Sequence, residues 1–171
     1  MAVRPIRFFP DPVLKAPCQG VARVTPATAA LIQDLNDTLD ASPGVGLAAP
    51  QIGKSLRVAV IDVSRGSGKR PRPGSNHGRI VLLNPEILSV EGIQIPREGC
   101  LSVPDMLADV RRYASVRVRA LDAEERELVL EAEGFEALAV QHEIDHLDGR
   151  LFLDRVANLK TDLFRRKHPK T

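Results

Sequence analysis

Residues 141–146 read Gln-His-Glu-Ile-Asp-His. His142 and His146 stand four positions apart, with Glu143 beside the first. On a helix, positions i and i+4 lie one above the other on a single face. Two imidazoles so placed can fill two corners of a metal's coordination sphere, with the carboxylate beside the position a water would take. The chemistry on offer is metal-assisted amide hydrolysis, in which Glu143 accepts a proton from the attacking water and passes it to the leaving amine. Sites of this kind hold three protein ligands and keep one position open. The third should be His, Cys, Asp or Glu. His77 lies in a Gly/Ser/Pro/Arg-rich stretch, His168 is three residues from the last, and Cys18 follows a proline in polar surroundings. Cys100 is better placed, in Glu98-Gly99-Cys100-Leu101-Ser102-Val103-Pro104. Gly99 lets the backbone approach another group closely, and Pro104 is expected to end regular pairing soon after. The ordinary fate of a lone cysteine, a small buried hydrophobe, is the competing reading.

The histidines work together only if Gly134 to Gly149 is a helix. Glu136 puts negative charge in its first turn, and Gly149 is a C-terminal stop. Phe135, Leu138, Ala139, His142 and His146 fall within about 100° of arc, and Val140, Ile144 and Leu147 form a second apolar stripe on the opposite side. A helix apolar on both sides is buried. Gln141, Glu143, Asp145 and Asp148 then lie in or near a core, where polar groups need partners. Upstream, Thr25-Pro26 opens a helix with a cap residue and a proline in its first position, and Leu31, Leu35 and Leu39 carry its apolar face to about Ala41. Leu56 to Val63, Arg79 to Asn84 and Ile87 to Ile95 read as strands, the last two separated by Pro85. Residues 64–78, rich in Gly, Ser, Pro and basic side chains, read as a mobile surface loop. Val116 to Leu121 and Leu128 to Ala132 alternate and are joined as a hairpin by Asp122 to Glu125. Arg155 to Lys167 is expected to form a C-terminal helix. The fold class this predicts is α+β: antiparallel sheets packed around a buried central helix, in one domain over residues 1–171.

Three separated segments resemble the motifs of the peptide deformylases: Gly44-Val45-Gly46-Leu47-Ala48-Ala49-Pro50-Gln51, Glu98-Gly99-Cys100-Leu101-Ser102, and Gln141-His142-Glu143-Ile144-Asp145-His146-Leu147. Their order and spacing fit, and the resemblance runs from Pro10-Asp11-Pro12-Val13-Leu14 to the segment after Leu151. Residue 107 is Leu, where some members carry a larger polar residue. The resemblance implies that Cys100, His142 and His146 hold one divalent metal, with Fe²⁺ the working ion and Zn, Ni or Co as substitutes. It implies hydrolysis of the formyl group from N-formylmethionyl nascent polypeptides, with formate released. A thiolate ligand donates charge to the metal and weakens its Lewis acidity, so transition-state charge needs other donors. The side-chain amide of Gln51 and the peptide N–H of Leu101 are the family's pair. Gly44 and Gly46 would let the backbone pair with an extended substrate, in a binding region that also takes in Glu98 and Gly99. Val45, Phe135, Leu138 and Ala139 could build a methionine-sized apolar pocket.

A zinc endopeptidase would share His-Glu-x-x-His but take a further His or Glu downstream, and no suitable one follows His146. A non-enzymatic nascent-chain or ribosome binder would not need Glu143 and Gln51, and both are present. A net charge of +2 is too small to argue for nucleic acid, and with no Trp and one Tyr there is no aromatic platform for bases. Basic residues Lys160, Arg165, Arg166, Lys167 and Lys170 leave a ribosome contact open through the expected C-terminal helix. No run approaches the ~18 apolar residues of a membrane span, and the N-terminal residues lack a signal-peptide core. Two cysteines are too few for a disulfide framework. A monomer in the reducing cytoplasm is expected.

Overall fold

The computed structural model describes residues 2–66 and 73–167. The fold is α+β. Helix α1 (Pro26–Asp40) is followed by β1 (Gly46–Ala48), β2 (Val58–Asp62), β3 (Arg79–Glu91), β4 (Arg97–Cys100), β5 (Val103–Asp109), β6 (Ser115–Leu121), β7 (Glu127–Glu133), helix α2 (Gly134–Leu147) and β8 (Leu163–Arg165). Every pairing between these strands is antiparallel. One sheet has the order β1-β2-β3-β6-β7, the other β4-β5-β8. Among the described residues, no helix is long and apolar enough to cross a membrane.

At β2 the five-stranded sheet is covered on both faces, which explains the unbroken apolar run of that strand. Val58 and Val60 point to α1 and pack with Leu31, Leu35 and Leu39. Ile61 and Leu82 point the other way, to Ala137, Val140 and Ile144 of α2. The Thr25 hydroxyl caps α1 by accepting the Thr28 N–H at 3.2 Å, as the Thr-Pro start requires. Helix α2 is buried from Glu136 to Leu147. Its aliphatic stripe faces the large sheet, and its histidine side faces Cys100 and Phe152 of the small-sheet core.

Three expectations change. Arg79 to Ile95 is one strand followed by a loop, not two strands. The chain stays in β3 through Pro85 by means of a register shift between Leu83 and Glu86, with Asn84 at φ +50. A bulge spares proline from donating to the ladder. Pro104 likewise lies inside β5, where the partner register jumps from Cys100↔Val103 to Gly99↔Leu107. The segment 155–167 is not a helix. A 3₁₀ turn covers Phe152–Arg155, and Leu163–Arg165 pairs with Met106–Ala108 as β8. Asp162 accepts the Asn158 N–H and Asn158 accepts the Lys160 N–H, local bonds that compete with helix formation, while β5 offers an unpaired edge. Among the described residues, α2 is therefore the last α-helix.

Of the expected loop 64–78, residues 67–72 lie outside the described residues. Residues 73–77 are fastened to the start of α2. Glu133 makes no side-chain cap there. Instead the fully buried Glu136 carboxylate accepts the Ser75 hydroxyl, the His77 N–H at 2.9 Å and the His77 ring Nδ1 at 2.8 Å. Pro73 supplies a carbonyl to Phe135 N–H. Replacing Glu136 by Ala leaves these donors without their acceptor at a partly buried helix start. Glu136→Ala should lower unfolding stability by roughly 1–3 kcal/mol, read as a lower urea midpoint at unchanged slope.

Candidate metal centre and cleft

Strands β1 and β4 each stand at an edge of their sheet, and both edges border one cleft of about 760 Å³. Cys100, His142 and Glu143 lie in its lining, and so do Gly44, Val45 and Gly46 on one wall and Gly99 and Leu101 on another. Phe135, Leu138 and Ala139 of α2 lie in it as well. The structure thus brings together the separate segments singled out in the sequence.

On the cleft floor, ligand atoms of Cys100, His142 and His146 all lie within 4.8 Å of one another, and all three residues are buried. Cys100 Sγ is 3.2 Å from His146 Nε2. Burial opposes ionisation of the thiol, but His146 and His142 outweigh it and pull the Cys100 pKa well below its usual value. His142 is driven the other way, raised despite burial by Cys100 and Glu98. A buried thiolate between two imidazoles is a soft N₂S donor set, and it fits a divalent transition metal.

The two rings are held differently. His142 Nδ1 lies 2.9 Å from Glu98 Oε2, which leaves Nε2 for the centre, and the ring stacks on Phe152. His146 Nδ1 is buried and has no hydrogen-bond partner among the described residues. Behind His142 runs a chain of charges. Arg112 Nε and Nη2 donate to Glu98 at 2.6 and 2.9 Å, its Nη1 donates to Asp145 at 2.5 Å, and Arg155 closes on both Asp145 oxygens at 2.5 Å. Burial would raise the Glu98 carboxyl, but hydrogen bonds from Arg112 and His142 bring it down to about 2. Glu98 lies in the cleft lining with its carboxylate committed to Arg112 and His142.

Glu143 is the opposite case. Burial raises its carboxyl to about 6, against the pull of His142 and His146, and its Oε2 has no hydrogen-bond partner among the described residues. It lies against Gly46, so close that a β-carbon there would overlap the carboxylate. Gln51 is 2 % exposed and fixed in orientation. Its Oε1 accepts the Ala48 N–H at 2.9 Å, which directs Nε2 to Ser102 Oγ at 3.1 Å and Cys100 Sγ at 3.6 Å.

The sequence reading missed Arg112, Ser102 and Phe152. The carboxylates of α2 already demanded a buried cation, but nothing local distinguishes Arg112 from Arg111. His77 and Cys18, set aside as ligands, are elsewhere: His77 pairs with Glu136, and burial pushes the Cys18 thiol up to about 11.

Fold and site together define a class: an α+β protein with a candidate centre for one divalent metal beneath a cleft between two open sheet edges, the arrangement of a metal-dependent hydrolase. A family model described as polypeptide deformylase matches residues 3–162. The peptide deformylase of Xylella fastidiosa (strain M12) is 46% identical over 170 residues, covering 98% of this chain and 95% of that one. That of Syntrophobacter fumaroxidans (strain DSM 10017 / MPOB) is 42% identical over 170 residues, covering 99% and 96%. The crystal structure of a peptide deformylase from Legionella pneumophila superposes with a TM-score of 0.84 at 41% identity, covering 93% of this chain and 89% of that one. The chain belongs to the polypeptide deformylase family, whose members are metal-dependent enzymes.

The contact between Gly46 and Glu143 yields a direct test. Gly46→Ala forces the carboxylate out of place without touching a candidate ligand. Activity should fall by roughly tenfold to a hundredfold, the scale for displacing a reacting group by about 1 Å, while metal content and the far-UV spectrum stay those of the parent. Full activity in that variant would mean that the carboxylate does not act from the position seen here.

Proposed function

We infer that the protein hydrolyses the N-terminal formyl group of N-formylmethionyl nascent polypeptides, releasing formate and a free α-amine. The observation that carries this reading is the buried Cys100/His142/His146 set with Glu143 beside it, on the floor of a cleft bordered by two free strand edges, in a chain of this family. In this proposal those three residues hold one divalent ion, and the bound ion supplies Lewis-acid polarisation of the formyl carbonyl. Glu143, its pKa raised by burial to about 6, takes a proton from the attacking water and delivers it to the leaving amine near neutral pH. Gln51 Nε2 and the Leu101 N–H donate to the oxygen that gains negative charge. The Gln51 amide is already oriented by Ala48, so little reorganisation accompanies that step.

The edges of β1 and β4 offer strand-like pairing to an extended peptide, with Gly44, Val45 and Gly46 on one side and Gly99 on the other. Val45, Phe135, Leu138 and Ala139 receive the methionine side chain. A formyl carbon carries only hydrogen, so a narrow floor between Gly46 and Cys100 admits it and rejects bulkier acyl groups. The working ion is Fe²⁺, replaceable by Zn, Ni or Co, and the enzyme acts as a monomer, in one catalytic domain, in the cytoplasm. A ribosome contact would use exposed Lys160, Arg165 and Lys167 in and around β8 rather than a helix; Lys170 lies outside the described residues.

Anaerobic metal analysis coupled to formate release is the test. Formylated peptides should be turned over and acetylated or internal amide bonds should not; cleavage of internal bonds would favour the endopeptidase. Glu143→Gln should keep its metal while kcat falls by roughly 10²–10⁴, and Cys100→Ala should lose metal and activity together. A further expectation concerns air. The Fe²⁺ form should lose activity by oxidation at the metal and Cys100, with the Ni²⁺ form surviving far longer at a similar thermal midpoint. Equal half-lives, or inactivation that tracks loss of secondary structure, would sink that account.

A further inference from the structure

Three arginines, Arg65, Arg97 and Arg166, line the cleft. Two are committed within the protein. Arg65 donates to Asp40 at 2.6 Å and to the carbonyls of Leu39 and Ser42 at 2.8 and 3.0 Å. Arg97 forks onto both oxygens of Asp109 at 2.8 and 3.0 Å, with its guanidinium carbon 3.9 Å from the Phe164 ring centre. Arg166 is different. It directly follows β8, and its backbone N–H bonds the Asp105 carbonyl at 2.8 Å, which sets where the side chain begins. Its guanidinium lies over the α-carbon of Gly99, so close that a β-carbon there would overlap Nη2, with Leu107 Cδ2 2.8 Å from the same point. It is exposed, and among the described residues no carboxylate pairs with it. The two carboxylates of the cleft are placed elsewhere: Glu98 is bound by Arg112 and His142, and Glu143 lies against Gly46.

We propose that Arg166 is a specificity residue that receives a carboxylate carried by the peptide downstream of its formylated methionine. The proposal rests on the deformylase reading. Gly99 immediately precedes Cys100 on the free edge of β4, so a peptide lying along that edge passes beneath the guanidinium. At about 3.3 Å per residue, the second or third residue of the substrate comes within its reach. A planar guanidinium fork matches a carboxylate bidentately. The carboxylate has two possible sources, an acidic side chain or the free terminus of a short peptide.

The test compares kcat/KM of the metal-loaded enzyme on formyl-Met-Ala-Asp-amide, formyl-Met-Ala-Asn-amide, formyl-Met-Ala-Asn with a free terminus, and formyl-Met-Ala-Lys-amide. The Asp-amide should be favoured over the Asn-amide by about fivefold, mainly through KM, and the preference should fade at about 1 M salt. In Arg166→Gln that ratio should fall to about one, and Arg166→Glu should favour the Lys peptide. Ratios within one variant cancel any loss of folded enzyme. A preference for the free-terminus peptide alone, lost in Arg166→Gln, assigns the terminal carboxylate as the ligand. Parent ratios near one for both carboxylates, or ratios unchanged in Arg166→Gln, overturn the assignment and leave the deformylase reading standing. No turnover of any formylated peptide overturns that reading and this proposal with it.

Discussion

Two carboxylates buried in one core, Glu98 and Asp145, cannot be left unpaired at neutral pH; an isolated buried charge costs several kcal/mol. A single side chain answers both. Arg112, 1 % exposed, bridges Glu98 on β4 and Asp145 on α2, and Arg155 closes the far end from the 3₁₀ turn after α2. This chain of alternating charge spans the gap between the small sheet and the buried helix, where apolar packing alone would leave the sliding distance of the two layers undetermined. It also decides which nitrogen of His142 faces the centre. The candidate ligands come from different elements, Cys100 from β4 and the histidines from α2, so their convergence depends on the ion pairs that hold β4 against α2.

The cleft follows from a different constraint. A sheet edge exposes unpaired N–H and C=O groups, and proteins ordinarily blunt it. Here β1 is three residues long and β4 four, and each is an edge. Short glycine-bearing edges invite little self-association, yet they border the cleft. The fold keeps the hazard small and puts the unused hydrogen-bonding capacity above the candidate metal centre.

What the sequence made legible follows the strength of local signals. Helix α1 carries Thr25-Pro26 and a leucine every fourth residue, and α2 has apolar positions on both sides; both were placed to within a few residues. The β6–β7 hairpin declares itself by alternation around a polar turn. The three-stranded sheet was unread because none of its strands alternates cleanly. Glycine precedes the cysteine in β4, β5 contains Pro104, and β8 is three residues whose pairing is set by a partner more than fifty residues away. The misplaced C-terminal helix has the same origin: local composition permitted it, while turn bonds at Asn158 and Asp162 and the edge of β5 decided otherwise. In the site, the residues with paired spacing were readable, and Arg112, which acts only through its partners, was not.

The two histidines of the candidate centre are supported unequally. The His142 ring is clamped from behind by Glu98 and stacked on Phe152, so its position is stiff. Among the described residues, the Nδ1 of His146 has no such clamp. Displacing the His142 ring strains its bond to Glu98, while displacing the His146 ring strains its contact with Cys100. The two candidate histidine ligands are thus anchored by different partners, one by the chain of ion pairs behind it and the other by the thiol in front of it.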